Sequence, residues 1–214
     1  MIVCLLDNGA GKVKAGVCRN SFGTGDLLQI KHSNCTSRIL KQMNVLVGDQ
    51  VDCTLNGSLL QYSRPFDRGY LVNWQSELEV WTRLFGATSL NIEPSESSLC
   101  VTEAPFAPEA IQNDMNEIVF EEYHFQEYLR RPASWFSANE FSWNPPEGHV
   151  NTSCCTVLDS GFSFSHIMPY LDGKCQKSAV SVVAILYSTH NNMHLIIKVN
   201  NHHASSKCRN SNST

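Results

Sequence analysis

The sequence predicts a mixed α/β fold, and three observations lead to this prediction. Two apolar runs are each followed by an Asp-x-Gly turn and a second apolar run, at Asp7 and at Asp159, which is the pattern of a β-hairpin. Between these hairpins, two segments with apolar residues at helical spacing flank one short apolar strand. The chain of 214 residues is 42% hydrophobic and 17% charged, which allows a packed core and excludes a wholly disordered protein.

The first hairpin is expected to pair Ile2–Leu6 with Val13–Val17 across the Gly-rich turn Asp7–Gly11. Residues 20–65 are rich in Ser, Asn and Gly, and their apolar runs are short, such as the one at 44–47. We therefore expect short strands and loops in this part of the chain.

A helix is predicted from Gln75 to Phe85. Asn73 can cap its first turn, apolar residues recur at helical spacing along it, and Gly86 follows its end.

The remaining predicted elements lie in the second half of the chain. Leu99–Thr102 is an apolar run of strand length, and a second helix is predicted from Pro108 to about residue 123. The second hairpin pairs Cys154–Leu158 with Phe162–Pro169 around Asp159, Ser160 and Gly161.

Charge is distributed unevenly along the chain. Lys and Arg number 16 and Asp and Glu number 20, and this net charge of −4 disfavours nucleic-acid binding by bulk charge. All the acidic residues lie before residue 174, and the chain beyond residue 200 is mostly Asn, Ser and His. Such a segment buries little apolar surface, so a disordered tail is predicted at 180–214.

The cysteines and the N-terminus indicate the compartment. The nine cysteines are odd in number and form no Cys-x-x-Cys pair, which favours free thiols. The N-terminus has no basic segment before its short apolar run, and no apolar stretch approaches the ~20 residues that cross a bilayer. We expect a protein of the nucleus or the cytoplasm that does not act at a membrane.

The two Asp-x-Gly turns are the candidate ligand-binding features of the chain. Backbone N–H groups at such a tip bind phosphate oxygens, and the aspartate can hold Mg²⁺ through water. Two copies suggest two related lobes that hold a phosphate chain. Lys14 on the first hairpin could reach a phosphate, or it could be a solvated strand residue.

Together, five segments of the chain resemble the actin superfamily. They also favour one nuclear branch of the actin-related proteins over conventional actin. In chain order they are Leu6–Gly9 with Lys14–Gly16, Pro65–Trp74, Thr102–Pro105, Met115–Tyr123 and Asp159–His166. The resemblance extends from residue 1 to about residue 178.

The resemblance implies the architecture. It predicts an actin-like first lobe, of the ribonuclease-H-like or Hsp70-type ATPase class, over residues 1–145, with a variable insertion at about 20–65. The initial hairpin of the second lobe would occupy 150–179, and 180–214 would be a tail outside the family.

The resemblance also implies a site. ATP would bind weakly at best, and Asp7 and Asp159 would hold Mg²⁺ indirectly. The nucleotide-binding residues would be Asp7, Asn8, Gly9, Ala10, Lys14, Asp159, Ser160, Gly161 and His166. On its own, His166 is equally well explained as a core histidine.

The chain departs from actin at the hydrolytic positions. Ala10 stands where actin has a serine that bonds the terminal phosphate, and Phe162 and Ser163 stand where actin has an acidic residue and a glycine. Ala133 aligns near the glutamine that positions the attacking water. Hydrolysis needs a positioned water and neutralised charge, so little or no ATPase activity is expected and no catalytic residue is assigned.

Three functions remain open. The resemblance implies a nuclear scaffold of a Swr-type chromatin-remodelling complex, which deposits a variant histone, with remodelling subunits and nucleosomal histones as partners and no independent sequence-specific DNA binding. The alternative is an ATP-hydrolysing filament or cytoskeletal protein, or a sugar kinase of the same fold. The loss of family pattern after residue 179 suggests a truncated form that arises through intron retention or through a faulty gene model, and this form could lack a function of its own.

Overall fold

The computed structural model describes residues 2–19, 28–39, 44–54, 59–143, 154–184 and 193–197. The chain forms two compact units. The described residues of Met1–Ala133 belong to the first unit, as do the tip residues Gly161–Phe164. Those of Ser134–Ser160 and Ser165–Val183 belong to the second unit. The division after Ala133 lies before the boundary near residue 145 that the sequence predicts.

The described elements include both strands and helices, which confirms the mixed α/β prediction. Those of the first unit are β1 (Ile2–Asn8), β2 (Lys12–Arg19), β3 (Leu28–Ser33), β4 (Thr36–Ile39), β5 (Val45–Val47), α1 (Asp49–Asp52), β6 (Leu60–Ser63), β7 (Phe66–Asp67), β8 (Tyr70–Leu71), α2 (Trp74–Phe85), β9 (Ser97–Glu103), α3 (Glu109–Glu117) and β10 (Glu127–Pro132). They are followed by α4 (Ala133–Trp143), β11 (Cys154–Ser160), β12 (Phe164–Leu171), β13 (Lys174–Cys175), β14 (Ser181–Ala184) and β15 (Met193–Ile197).

The central sheet of the first unit has the strand order β10-β9-β1-β2-β3. Strands β1, β2 and β3 are antiparallel, whereas β9 is parallel to both β1 and β10. Leu6 lies beside Val101 in this register. The carboxyl ends of β1 and β9 therefore meet at one edge of the sheet, and this edge carries the first Asp-x-Gly turn.

One face of this sheet carries the core. Its alternate residues are buried, as in Cys4, Leu6, Leu99 and Val101, and α2 contributes Trp81, Leu84 and Phe85 to the same core. The opposite face is less covered. Leu5, Cys100 and Leu129 lie side by side on it, and Leu5 and Leu129 are each 40% exposed.

Helix α2 confirms the predicted helix. The Asn73 side chain accepts a hydrogen bond from the Ser76 amide at 3.2 Å, which is the predicted cap. Gly86 ends the helix, but its backbone is extended rather than left-handed. The glycine there supplies no special conformation.

The second predicted helix is shorter than expected. Helix α3 ends at Glu117, and the chain continues as a π-helical turn over Ile118–Glu122. The Tyr123 amide donates to the Ile118 carbonyl at 3.1 Å, which closes this wider turn. The turn buries Val119, and Phe125 follows it into the core. Tertiary packing thus overrides the regular helical period.

The segment 20–65 does contain short strands, but it is not wholly an insertion. Strand β3 pairs with β2 and completes the central sheet, whereas β5, β4 and β6 form a separate three-stranded sheet. Between β7 and β8, Arg68 and Gly69 both have positive φ, as a two-residue hairpin turn of the primed type requires.

The second hairpin is confirmed as β11 and β12, with Phe162 in the tip rather than in the second strand. Two elements that the sequence analysis missed precede it, β10 and α4. In the second unit, Val157, Met168 and Tyr170 form a small buried core with Ala138 of α4.

The prediction of a disordered tail at 180–214 is wrong for two segments. Ser181–Ala184 forms β14, which pairs with β12, and Met193–Ile197 forms β15, which pairs with β11. Both segments are rich in β-branched or other apolar residues and extend the sheet of the second hairpin. The rest of the predicted tail lies outside the described residues.

The cysteines of the described chain are free thiols, as predicted. Burial raises the pKa of Cys4 to about 12, so this thiol is a core side chain rather than a nucleophile. Within the part of the chain that the structure describes, no helix is long and apolar enough to span a membrane.

Candidate nucleotide-binding site

The Asp7 carboxylate organises the first turn. Its Oδ1 accepts a hydrogen bond from Thr102 Oγ1 at 2.8 Å, and its Oδ2 lies 2.7 Å from Lys14 Nζ. Asp7 and Lys14 are direct partners in the β1–β2 register, which brings the two charges together. The Lys14 charge is therefore paired with Asp7, and its side chain is 36% exposed.

The backbone of this turn also forms hydrogen bonds within the protein. The Asn8 amide donates to Thr102 Oγ1 at 3.0 Å, and the Gly9 amide donates to the Asp7 carbonyl at 3.0 Å. Asn34 lies beneath the turn. Its side-chain nitrogen donates to the Gly9 carbonyl at 3.1 Å, and its backbone amide donates to the Gly11 carbonyl at 3.1 Å.

A fully buried polar cluster supports the turn from below. Glu77 of α2 and Asn34 are both 0% exposed, and Asn8 accepts a hydrogen bond from Trp81 Nε1 at 3.4 Å. Neither Glu77 oxygen has a hydrogen-bond partner of normal geometry, and the same holds for Asn8 Nδ2 and Asn34 Oδ1.

Burial raises the pKa of Glu77 to about 7, although the side chains of Asn8, Asn34 and Trp81 favour the ionised form. The buried carboxyl therefore keeps its proton to a higher pH than an exposed glutamate does. The sequence analysis missed both Glu77 and Asn34, because no motif connects them with the turn.

An aromatic ring lies against the first turn. A Cβ atom built on Gly11 would lie only 2.8 Å from Phe162 Cδ2. The Arg64 guanidinium carbon lies 4.8 Å from the centroid of the Phe162 ring, and Arg64 Nη1 donates to the Gly11 carbonyl at 3.5 Å. All three residues belong to the first unit.

A small cavity of about 30 Å³ lies next to the carboxyl ends of the strands. It has room for about one or two water molecules. Glu103 and Arg130 line it and form an ion pair of 2.9 Å, in which each side chain is 17% exposed. Burial raises the pKa of Glu103 despite this partner. This cavity is too small for a nucleotide.

The second turn is built on its own hairpin. Asp159 lies opposite His166 in the β11–β12 register, and Ser160 Oγ lies 2.9 Å from Ser165 Oγ. The Gly161 amide donates to the Phe164 carbonyl at 2.8 Å and closes the tip. Burial lowers the pKa of His166 more than the Asp159 carboxylate raises it, so the imidazole is neutral near pH 7.

The predicted residues therefore fall into two groups. The structure brings Asp7, Asn8, Gly9, Ala10 and Lys14 together in the first turn, and it brings Asp159, Ser160 and His166 together on the second hairpin, whose tip carries Gly161. Ala133 begins α4.

An antiparallel hairpin with an Asp-x-Gly turn, extended by parallel strands in one sheet, is consistent with the first lobe of an actin-like α/β protein. Comparison with known families agrees with this class. The family model described as Actin matches residues 2–185, and the chain belongs to the actin family. The match continues past the boundary near residue 179 that the sequence predicts.

Curated relatives match about four fifths of the chain. The actin-related protein 6 of Arabidopsis thaliana is 35% identical over 79% of this chain and 40% of its own length. The actin-related protein 6 of Oryza sativa subsp. indica is 37% identical over 79% of this chain and 38% of its own length. The actin-related protein 6 of Drosophila melanogaster is 28% identical over 80% of this chain and 42% of its own length. The chain is thus similar to proteins named actin-related protein 6. The chain spans about two fifths of their length.

The residues of the first turn do not fit the ATP and divalent ion that the fold family implies. The Lys14 charge and both Asp7 oxygens are engaged with each other and with Thr102. Two amides of the turn already donate within the protein, and the Phe162 ring covers Gly11. Among the described residues, no group of three or more His, Cys, Asp or Glu side chains could hold a metal ion.

Proposed function

We propose that the chain acts as an actin-related scaffold in a nuclear chromatin-remodelling complex of the Swr type, and not as an ATPase. The observation that carries this proposal is the similarity to proteins named actin-related protein 6. Ala10, which supplies only a methyl group at the first turn, argues against the ATPase alternative. The partners would be remodelling subunits and nucleosomal histones, which suit the acidic balance of residues 1–173 better than DNA alone does.

The absence of hydrolysis follows from the side chains at the turns. A hydrolysing site must position a water and neutralise the charge that develops on the terminal phosphate. A methyl group at Ala10 and a phenyl ring at Phe162 do neither, and the Lys14 charge is held by Asp7.

We therefore expect the purified chain to release no phosphate from Mg·ATP above the rate of the buffer alone. The measurement is a continuous phosphate-release assay, with conventional actin as the positive control. Mg²⁺-dependent release that Lys14→Ala abolishes would support the alternative, an ATP-hydrolysing filament protein.

The scaffold role predicts association in the nucleus. When the tagged full chain is expressed in cells and purified from nuclei, we expect remodelling subunits and a variant histone to copurify with it. Mass spectrometry measures their enrichment over the Trp81→Ala variant, whose stability is expected to fall by about 3–5 kcal/mol. Enrichment equal to that of the variant, or recovery of the chain in cytoplasmic filaments, would contradict the proposal.

A further inference from the structure

We propose that the Phe162 ring closes the first turn to phosphate and that Arg64 holds the ring in place. The closure concerns binding rather than hydrolysis. It is independent of the scaffold role, because a scaffold could carry either an open or a closed turn.

The contact at Gly11 is too close for an anion to share. The Phe162 ring lies where even a methyl group on Gly11 would meet it at 2.8 Å. A phosphate group is larger than a methyl group, so a phosphate placed beside the Gly11 Cα would collide with the ring. The ring also presents an apolar surface, which offers a phosphate no hydrogen bond in exchange for its water.

Arg64 is directed at the ring instead of at an anion. Its guanidinium carbon is 4.8 Å from the ring centroid, within the range of a cation–π contact, and its Nη1 contacts the Gly11 carbonyl at 3.5 Å. Guanidinium groups are the side chains best suited to phosphate. Replacing Phe162 with a small residue would therefore expose the turn and also release the Arg64 guanidinium beside it.

A gain of binding tests this closure. Inorganic tripolyphosphate is the probe, because it requires no adenine pocket, and isothermal titration calorimetry on the full chain is the measurement. Wild type is expected to give only the heat of dilution. Phe162→Ala is expected to bind roughly tenfold tighter or more, which is the effect of one charge-assisted hydrogen bond.

Two further variants make the result specific. The double variant Phe162→Ala/Arg64→Ala should lose most of the gain. Phe164→Ala removes a second ring from the same tip, which packs on Gly69 instead of Gly11, and should behave as wild type. Phe162 is 39% exposed, so its replacement is expected to leave the fold intact. Thermal melting checks the fold, and Phe162→Ser provides a second opening variant.

The closure is overturned if wild type binds tripolyphosphate as tightly as Phe162→Ala, or if folded opening variants gain no binding. An equal gain from Phe164→Ala would overturn it as well. Each of these results leaves the scaffold proposal standing, because that proposal depends on copurification and on the absence of phosphate release.

Discussion

Raising the pH from 5 to 8 is expected to destabilise the first unit through Glu77, and Glu77→Gln is expected to remove this effect. Burial raises the pKa of this carboxyl from 4.5 to about 7 in the folded protein, while the unfolded chain keeps the ordinary value. The folded state therefore holds the proton more tightly. The stabilisation is complete below pH 4.5 and is lost as the pH rises to 7. At about 1.4 kcal/mol per pH unit, the loss is roughly 3 kcal/mol.

Urea unfolding between pH 5 and 8 measures the effect. In Glu77→Gln, an amide that stays neutral at every pH replaces the carboxyl, so the free energy of unfolding should lose this pH dependence. Glu79→Gln is the matched control, because Glu79 lies on the exposed side of the same helix and should leave the slope unchanged.

The neighbouring phenol of Tyr123 does not produce this slope. Burial raises its pKa to about 12, so the phenol stays neutral over this range. An unchanged pH slope in Glu77→Gln would show that the carboxyl is ionised in the folded protein.

Replacing Trp81 with alanine is expected to cost about 3–5 kcal/mol of stability, the usual effect of removing a large buried aromatic side chain. Trp81 is 0% exposed, and its ring packs against Phe85 and Tyr123 at centroid distances of 5.8 and 5.9 Å. The substitution leaves a cavity and also removes the donor to Asn8 Oδ1. Two effects, on the core and on the first turn, therefore act together.

Trp74→Ala is the control for this substitution, because Trp74 is on the same helix and only partly buried. Its Nε1 donates to Asp114 at 3.3 Å in an exposed position. We expect a loss of about 1 kcal/mol, within the range of ordinary substitutions. Urea unfolding at constant pH compares the two variants. Equal losses would mean that Trp81 does not anchor the core.

Local elements of this protein could be predicted because neighbouring residues decide them. Both hairpins follow from apolar runs on either side of an Asp-x-Gly turn, and α2 follows from the Asn73 cap and the spacing of its apolar residues. The candidate site could be predicted as two turns, because each turn is continuous in sequence. The resemblance to actin rests on such continuous segments and extends over most of the chain.

The elements that the sequence did not predict share one cause. Packing between residues that are distant in the chain determines their structure. The π-helical turn after α3 was missed because the burial of Val119 and Phe125 overrides the helical period. Strands β14 and β15 were missed because their pairing partners lie elsewhere in the chain.

The sequence by itself determined the hairpins, the capped helix and the membership of the actin family. Only the tertiary structure decided which side chains contact the first turn. The parallel register of β1 and β9 brings Thr102 to Asp7, the burial of α2 places Glu77 under Asn34, and the approach of Phe162 covers Gly11. The physical reason is that hydrogen bonding within a turn depends on adjacent residues, whereas desolvation and steric exclusion depend on whichever side chains the fold brings next to it.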